Sequence, residues 1–202
     1  MNAVSLEQTE RLWLNAYLPG VPADIDAGIE DYPSLREVFL EHLHKFRDRV
    51  AYVSIGTEMT YADWEVQGIA FAAWLQAQGV KKGDRVALMM PNCLQYPICL
   101  LGTILAGAVV VNVNPLYTAR ELQHLLKDSE AETIVIFENF AHTLEKVVAA
   151  STVKRVVIAA IGDLLGTFKG AAMNFILRSV QKQVPRFNLP GAVRFNQVLK
   201  QG

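Results

Sequence analysis

Two hydrophobic rhythms alternate along the chain from residue 34 onward: apolar positions at helical spacing, and short apolar runs without polar interruption. "SLREVFLEHL" is the first of the helical kind. Ser34 and Glu37 make a capping-box pair, and Leu35, Val38, Phe39 and Leu43 fall on one face. "VAYVSIGTEMTY" alternates about Gly56, which predicts a two-stranded hairpin. A second capped start at Thr60 to Asp63 carries Trp64, Gly68, Phe71 and Leu75 at helical spacing to a stop at Gly79.

Runs and helices then take turns. "KKGDRVALMM" is a polar turn feeding a strand, "PNCLQYPICLLGTILAG" a helix with Pro near its start, and "AVVVNV" the next strand. Thr118 to Glu121 caps the helix "ARELQHLLKDS", "TIVIF" is a third strand, "NFAHTLEKVVAA" a helix and "VKRVVIAA" a fourth strand. Strands and helices at these spacings predict an α/β fold, a parallel sheet with flanking helices, preceded by a small N-terminal arm and the hairpin. Residues 86–89, 109–111, 134–137 and 156–159 are expected to be buried. The chain divides into an arm (1–33) rich in turn formers, an α/β subdomain (34–160) and a basic amphipathic segment (161–202).

One rival comes from the same pattern. No formal charge occurs from Val86 to Ala119, a stretch long enough for a membrane span of about 20 residues. Pro91, Asn92, Pro97, Gly107, Asn112, Asn114 and Pro115 cut it into pieces too short to cross, and the valine triplet favours a buried strand. With 51% hydrophobic and 19% charged residues the chain has the composition of a folded, core-rich protein. Its start carries Glu7 and Glu10 and no long apolar core, unlike a secretory signal. The two cysteines, Cys93 and Cys99, are six apart, about 240° around a helix, too far for a bridge. Two buried thiols in a reducing, cytoplasmic setting follow.

Charge distribution adds one feature. Eight of the 19 Lys and Arg, but only one of the 20 acids, Asp163, lie after residue 150. Such a tail suits an acidic counterpart: a membrane surface, a nucleic acid, or the acidic remainder of the same fold.

Ligands of open parallel sheets bind at the carboxyl edge, where strands end and helices begin. Three predicted loops lie there: "MMPNCLQYP", "NVNPLYTARE" and "FENFAHT". The second is the richest. Asn112 and Asn114 bring amides, Pro115 stiffens the backbone, Tyr117 offers a ring and hydroxyl, and the free N–H groups of the next helix favour an anion. The same asparagines and Thr118 could equally serve only to satisfy backbone groups at a strand-to-helix corner. His142 stands in the third loop as either a ligand contact or a packing residue. His42 and His44 have no partner cluster, so no metal site is expected. "GTFKG" (166–170) lacks the P-loop spacing and reads as a turn. There is no G-x-G-x-x-G after a strand, no nucleophile elbow and no complete catalytic constellation, so no catalytic residue is assigned.

The stretch "GVKKGDRVALMMPNCLQYPICLLGTILAGAVVVNVNPLYTARELQHLLKDSEAETIVI", with "TYADWE" before it and "NFAHTLEKVV" after it, closely resembles bacterial long-chain fatty acid–CoA ligases of the adenylate-forming acyl-CoA synthetase superfamily. The likeness runs from about Trp13 to the last residue and includes "NFILRSVQKQVP". It implies a two-step reaction: ATP and a fatty acid give acyl-AMP and pyrophosphate with Mg2+, then the thiol of coenzyme A displaces AMP. It also implies that this chain matches only the N-terminal third, ahead of the Ser/Thr/Gly-rich triphosphate loop, and is inactive alone. By the same resemblance Asn114, Leu116 and Tyr117 approach the nucleotide part of CoA, and His142 its phosphates. A homodimer of the full-length enzyme is compatible with it, and no nucleic-acid partner is expected.

"GAAMNFILRSVQKQVP" reads as an amphipathic helix. Met173, Phe175, Ile176, Leu177, Val180 and Val184 form a broad apolar side, and Asn174, Arg178 and Lys182 lie towards the other. Two roles are open to it: packing against the rest of a longer enzyme, or contact with an anionic membrane surface on the inner face of the membrane through Phe175, Arg178, Lys182 and Arg186. A non-catalytic docking module is the alternative to the ligase.

Overall fold

The computed structural model describes residues 12–23 and 32–202. Of the expected arm it describes a short 3-10 turn, Leu12–Ala16, and the loop after it; the rest of the arm's first 31 positions lie outside the described residues. Helix α1 (Leu35–Lys45) begins at Ser34, whose hydroxyl accepts from the Arg36 N–H and contacts the Glu37 carboxylate. Strands β1 (Val50–Ser54) and β2 (Thr57–Thr60) form the antiparallel hairpin. At α2 (Tyr61–Ala77) the capping box is complete: Asp63 N–H donates to the Thr60 hydroxyl, and Thr60 N–H donates back to the Asp63 carboxylate.

The main sheet is parallel, with five strands in the order β4-β3-β5-β6-β7. They are β3 (Arg85–Met89), β4 (Val109–Asn112), β5 (Thr133–Phe137), β6 (Arg155–Ala159) and β7 (Val193–Arg194). Alternate side chains of β3, β5 and β6 enter two cores, as the pleat requires. Val86, Leu88, Val135, Phe137, Val157 and Ala159 pack with α2 and α3 (Gln95–Leu105). Ala87, Met89, Ile134, Ile136 and Ile158 pack with α4 (Ala119–Ser129) and the short α5 (Ala141–Glu145). The chain thus leaves β3 over one face to reach β4, and returns over the other face to β5, as right-handed crossovers demand. Close contact of α2 with α3 depends on Gly68 and Gly102. A Cβ on Gly102 would sit 2.6 Å from the Gly68 carbonyl oxygen.

Several expectations need correction. Val109 is about half exposed and Val110 and Val111 only partly buried, because β4 is an edge strand with one neighbour. The segment 138–150 is not one helix but a 3-10 turn, the five-residue α5 and another 3-10 turn. "GTFKG" is not a turn: Gly166 precedes α6 (Thr167–Phe175), which holds the other four residues. Strand β7 and the helix after it, α7 (Phe195–Gln201), are additions that the hydrophobic pattern does not predict. Phe195 and Val198 are fully buried in the α2–α3 core, so the end of the tail is part of the same fold. No helix among the described residues is long and apolar enough to cross a membrane; the uncharged stretch divides into β3, α3 and β4.

Candidate functional site

All five strands are parallel, so every loop after a strand opens on one edge. Helix α3 follows β3 on one face of the sheet, while α5 follows β5 on the other. The crevice between the ends of these two adjacent strands is the place where ligands of open α/β sheets bind. Its walls are the loop after Met89 and the turn at Glu138–Phe140.

Glu138 is the first residue past β5 and is 1% exposed. A carboxylate taken that far from water must be paired, and two arginines of the tail pair it. Arg178 donates through Nε to both oxygens (3.0 and 3.2 Å) and through Nη2 at 2.8 Å. Arg194, the last residue of β7, donates through Nη1 at 3.1 Å. The hydrogen bonds to Glu138 hold the Arg178 guanidinium above its ordinary pKa. Asp163 lies beside this cluster, accepting from the Ala160 N–H at 2.7 Å. Burial, reinforced by the Glu138 charge, pushes its carboxyl up to about 6 against the pull of that N–H and of Arg194 and Arg178.

The predicted amphipathic helix is therefore turned over. Its polar positions face the protein: Arg178 binds Glu138, and the Asn174 side chain accepts from the Gly162 N–H at 2.9 Å. Part of its apolar side faces out, with Phe175 62% and Val180 65% exposed. Buried polar partners at the sheet edge, invisible to helical periodicity, decide which side turns inward. The helix also starts earlier than expected and ends in a π turn, Ile176–Val180. Lys182 and Arg186 are exposed, so of the four expected membrane contacts Arg178 alone is committed elsewhere. The acidic counterpart of the basic tail lies at least partly within the fold.

The loop after β4 turns on its own side chains. Asn114 Oδ1 accepts from the Leu116 N–H at 3.0 Å, and its carbonyl accepts from the Tyr117 N–H. Leu116 is 79% exposed, while Tyr117 is half-buried against the α4 core. Thr118 and Glu121 complete the capping box of α4, so the corner reading accounts for Thr118 and for one amide oxygen. Asn112 accepts from the Tyr96 hydroxyl at 2.9 Å. His142 is half-buried, and its Nδ1 is buried with no partner among the described residues. One strand separates β4 from β5, about 10 Å, so the two loops share the edge. No three His, Cys, Asp or Glu gather to hold a metal among the described residues.

Glu138, Asp163 and Arg194 form no recognisable motif in the sequence. The available signal was a carboxylate directly following the apolar run "TIVIF", at the carboxyl edge.

Solved structures share this fold. An anthranilate CoA ligase in complex with anthranoyl-AMP superposes with a TM-score of 0.67 at 16% identity, covering 85% of this chain and 29% of that structure. A luciferase-like enzyme from the mealworm Zophobas morio gives 0.65 at 20% identity, covering 84% and 35%. The family model of AMP-binding enzymes matches residues 39–186, and the chain belongs to that family. It is 48% identical over 194 residues to a long-chain-fatty-acid–CoA ligase of Salmonella typhimurium, and 49% identical to one of Yersinia pestis. Each alignment covers 96% of this chain and 34% of the relative, so the chain spans about a third of their length.

Proposed function

We propose that this chain supplies the N-terminal third of a long-chain fatty acid–CoA ligase. In that reaction a fatty acid carboxylate attacks ATP to give acyl-AMP and pyrophosphate, and the CoA thiol then takes the acyl group and releases AMP. The match at 48% identity over 96% of this chain and 34% of the relative supports this reading. The part we assign to the chain is one wall of the CoA side. Asn114 and Tyr117 present an amide and a phenol at the loop after β4, Leu116 offers exposed apolar surface, and the half-buried His142 stands just past β5 on the same edge. We assign the steps that use Mg2+ and ATP to the other two-thirds of the enzyme.

The test joins this chain in frame to the remaining two-thirds of the Salmonella relative. The hybrid should form palmitoyl-CoA from palmitate, ATP and CoA, whereas the chain alone should form none. Tyr117→Ala and His142→Ala should raise the KM for CoA about tenfold, the size of one lost hydrogen bond to a charged group, and leave palmitate-dependent pyrophosphate release intact. Release of pyrophosphate by the chain alone, or a hybrid that folds but is inactive, would contradict the proposal.

A second reading has its own observation: Phe168 (91% exposed), Phe175 and Val180 are exposed apolar residues of the helix and its π turn, and the exposed Lys182 and Arg186 follow them in the chain. That combination suits peripheral contact with an anionic bilayer, each basic residue contributing about 1 kcal/mol. Lys182→Glu with Arg186→Glu should then weaken co-sedimentation with anionic vesicles. Arg178 is the wrong site for this test, because its loss would leave the buried Glu138 with Arg194 alone.

A further inference from the structure

The hairpin is gripped at its base and almost free at its tip. At the base β2 runs straight into α2, Met59 is buried, and Tyr52 packs edge-on against Trp64 with ring centroids 5.1 Å apart. Towards the tip this packing is lost, and Val53 and Ile55 are exposed. Space lies on both sides. A cleft of about 370 Å³ separates Tyr52 and Val53 of β1 from Cys93, Tyr96 and Leu100. A smaller cavity of about 70 Å³ is lined by Thr57, Glu58 and Met59 of β2 together with Gln67, Leu94 and Leu164.

The tip is also strained. The register pairs Ser54 with Thr57, leaving Ile55 and Gly56 as a two-residue turn. Both are left-handed, with φ of +51° and +65°. Such a turn matches the twist of a hairpin but favours Asn, Asp or Gly at its first position. A β-branched side chain there crowds its own backbone, and a conformation of that kind persists only where its surroundings impose it. Among the described residues, the hydrogen bonds that reach positions 54–57 from outside the hairpin both come from Lys169 of α6. Its Nζ donates to the Ile55 carbonyl and lies 3.4 Å from the Thr57 hydroxyl. The lysine is itself well placed. Its neighbour Gly170 packs so closely on the Gly162 carbonyl that a Cβ would sit 2.1 Å from that oxygen, and Asn174, one turn on, accepts from the Gly162 N–H.

We propose that the hairpin tip is a lid over the cleft beside α3, and that Lys169 is the latch holding it shut against the strain at Ile55. In the released state Ile55 relaxes to an ordinary backbone and β1 moves away from the wall that carries Cys93. Few buried contacts at the tip make that state reachable while α2 and α3 stay folded. The seating of α6 thereby reaches the hairpin: contacts that hold the helix at the edge of the sheet also hold the lid.

The experiment compares the 202-residue chain with its Lys169→Met variant, which keeps the stem and removes the ammonium. Hydrogen exchange followed by mass spectrometry reads the segment 52–58. Alkylation by N-ethylmaleimide, mapped by peptide, reads Cys93 on the far wall of the cleft, with the fully buried Cys99 as internal reference. Lys169→Met should raise both rates about tenfold, the lower end for a hydrogen bond to a charged group because the ammonium is exposed. Exchange in α2 and α3 and alkylation of Cys99 should not change. Ile55→Asn tolerates the left-handed turn and, combined with Lys169→Met, should bring both rates back towards wild type. Lys182→Met, exposed on the same tail, should have no effect. Melting curves establish that each variant is folded. A Lys169→Met protein equal to wild type in both rates would overturn the proposal. So would a rise spread through α2 and α3, or a failure of Ile55→Asn to reverse the effect. Neither readout involves palmitate or CoA, so the outcome is independent of the hybrid enzyme's activity.

Discussion

Replacing Glu138 by alanine should release the tail from the edge of the sheet. The side chain is 1% exposed and accepts four N–H contacts of 2.8–3.2 Å from Arg178 and Arg194. Breaking a fully buried ion pair from one side costs about 3–5 kcal/mol. Here the orphaned partners are 42% and 50% exposed and can regain water, which lowers the figure. The chelating contacts of one guanidinium are also not additive. About 2–3 kcal/mol remains, a drop in Tm of about 5–10 °C for a chain of this size. Urea unfolding at neutral pH measures it, and trypsin reports where the loss acts, since cleavage after Lys182 and Arg186 should accelerate before global unfolding. Glu138→Gln keeps the shape but aims amide hydrogens at a guanidinium, so it should lose nearly as much. In the pair Glu138→Leu with Arg178→Met no buried charge is left unpaired at Arg178, and part of the stability should return. A Glu138→Ala protein that melts within about 1 °C of wild type, with unchanged tryptic cleavage, would refute the view that this carboxylate anchors the tail.

Two further outcomes follow from the same edge. Asp163 has its folded pKa raised to about 6 by burial, above the value of about 3.9 it has when unfolded. The folded state therefore binds the extra proton, and the contribution of this group is fully present below about pH 4 and lost as pH rises to about 6. Asp163→Asn keeps an acceptor for the Ala160 N–H and should stabilise the chain at pH 8 but not at pH 4; equal effects at both would show that the charge is not the cause. Gly170→Ala would place a Cβ 2.1 Å from the Gly162 carbonyl oxygen. It should push α6 off the sheet edge at a cost of about 1–3 kcal/mol, seen as a lower urea midpoint, while Ala171→Ser at an exposed neighbour should be silent.

The sequence by itself determined the elements whose signals are local. Capping boxes at Thr60 and Thr118 needed only residues three apart, because hydroxyl and carboxylate reach the same turn. Apolar runs at 86–89 and 134–137 could be read as strands buried on both faces, and the strand–helix alternation left a parallel sheet as the economical solution. The short apolar run at 109–111 looked the same, but its burial depends on the number of neighbours a strand acquires, and β4 has one. Tertiary structure decided the rest of the candidate site. Glu138 is an ordinary acid in sequence and becomes the centre of the edge only because β7 brings Arg194 across 56 positions and the tail brings Arg178 across 40. Helical periodicity read one amphipathic helix over 170–185, whereas helix and π turn end at Val180, and it could not say which side turns inward, since a buried carboxylate outside the helix sets that. A two-residue strand such as β7 carries no pattern at all. It forms because the edge of β6 offers unpaired backbone groups, and pairing them costs less than leaving them dry.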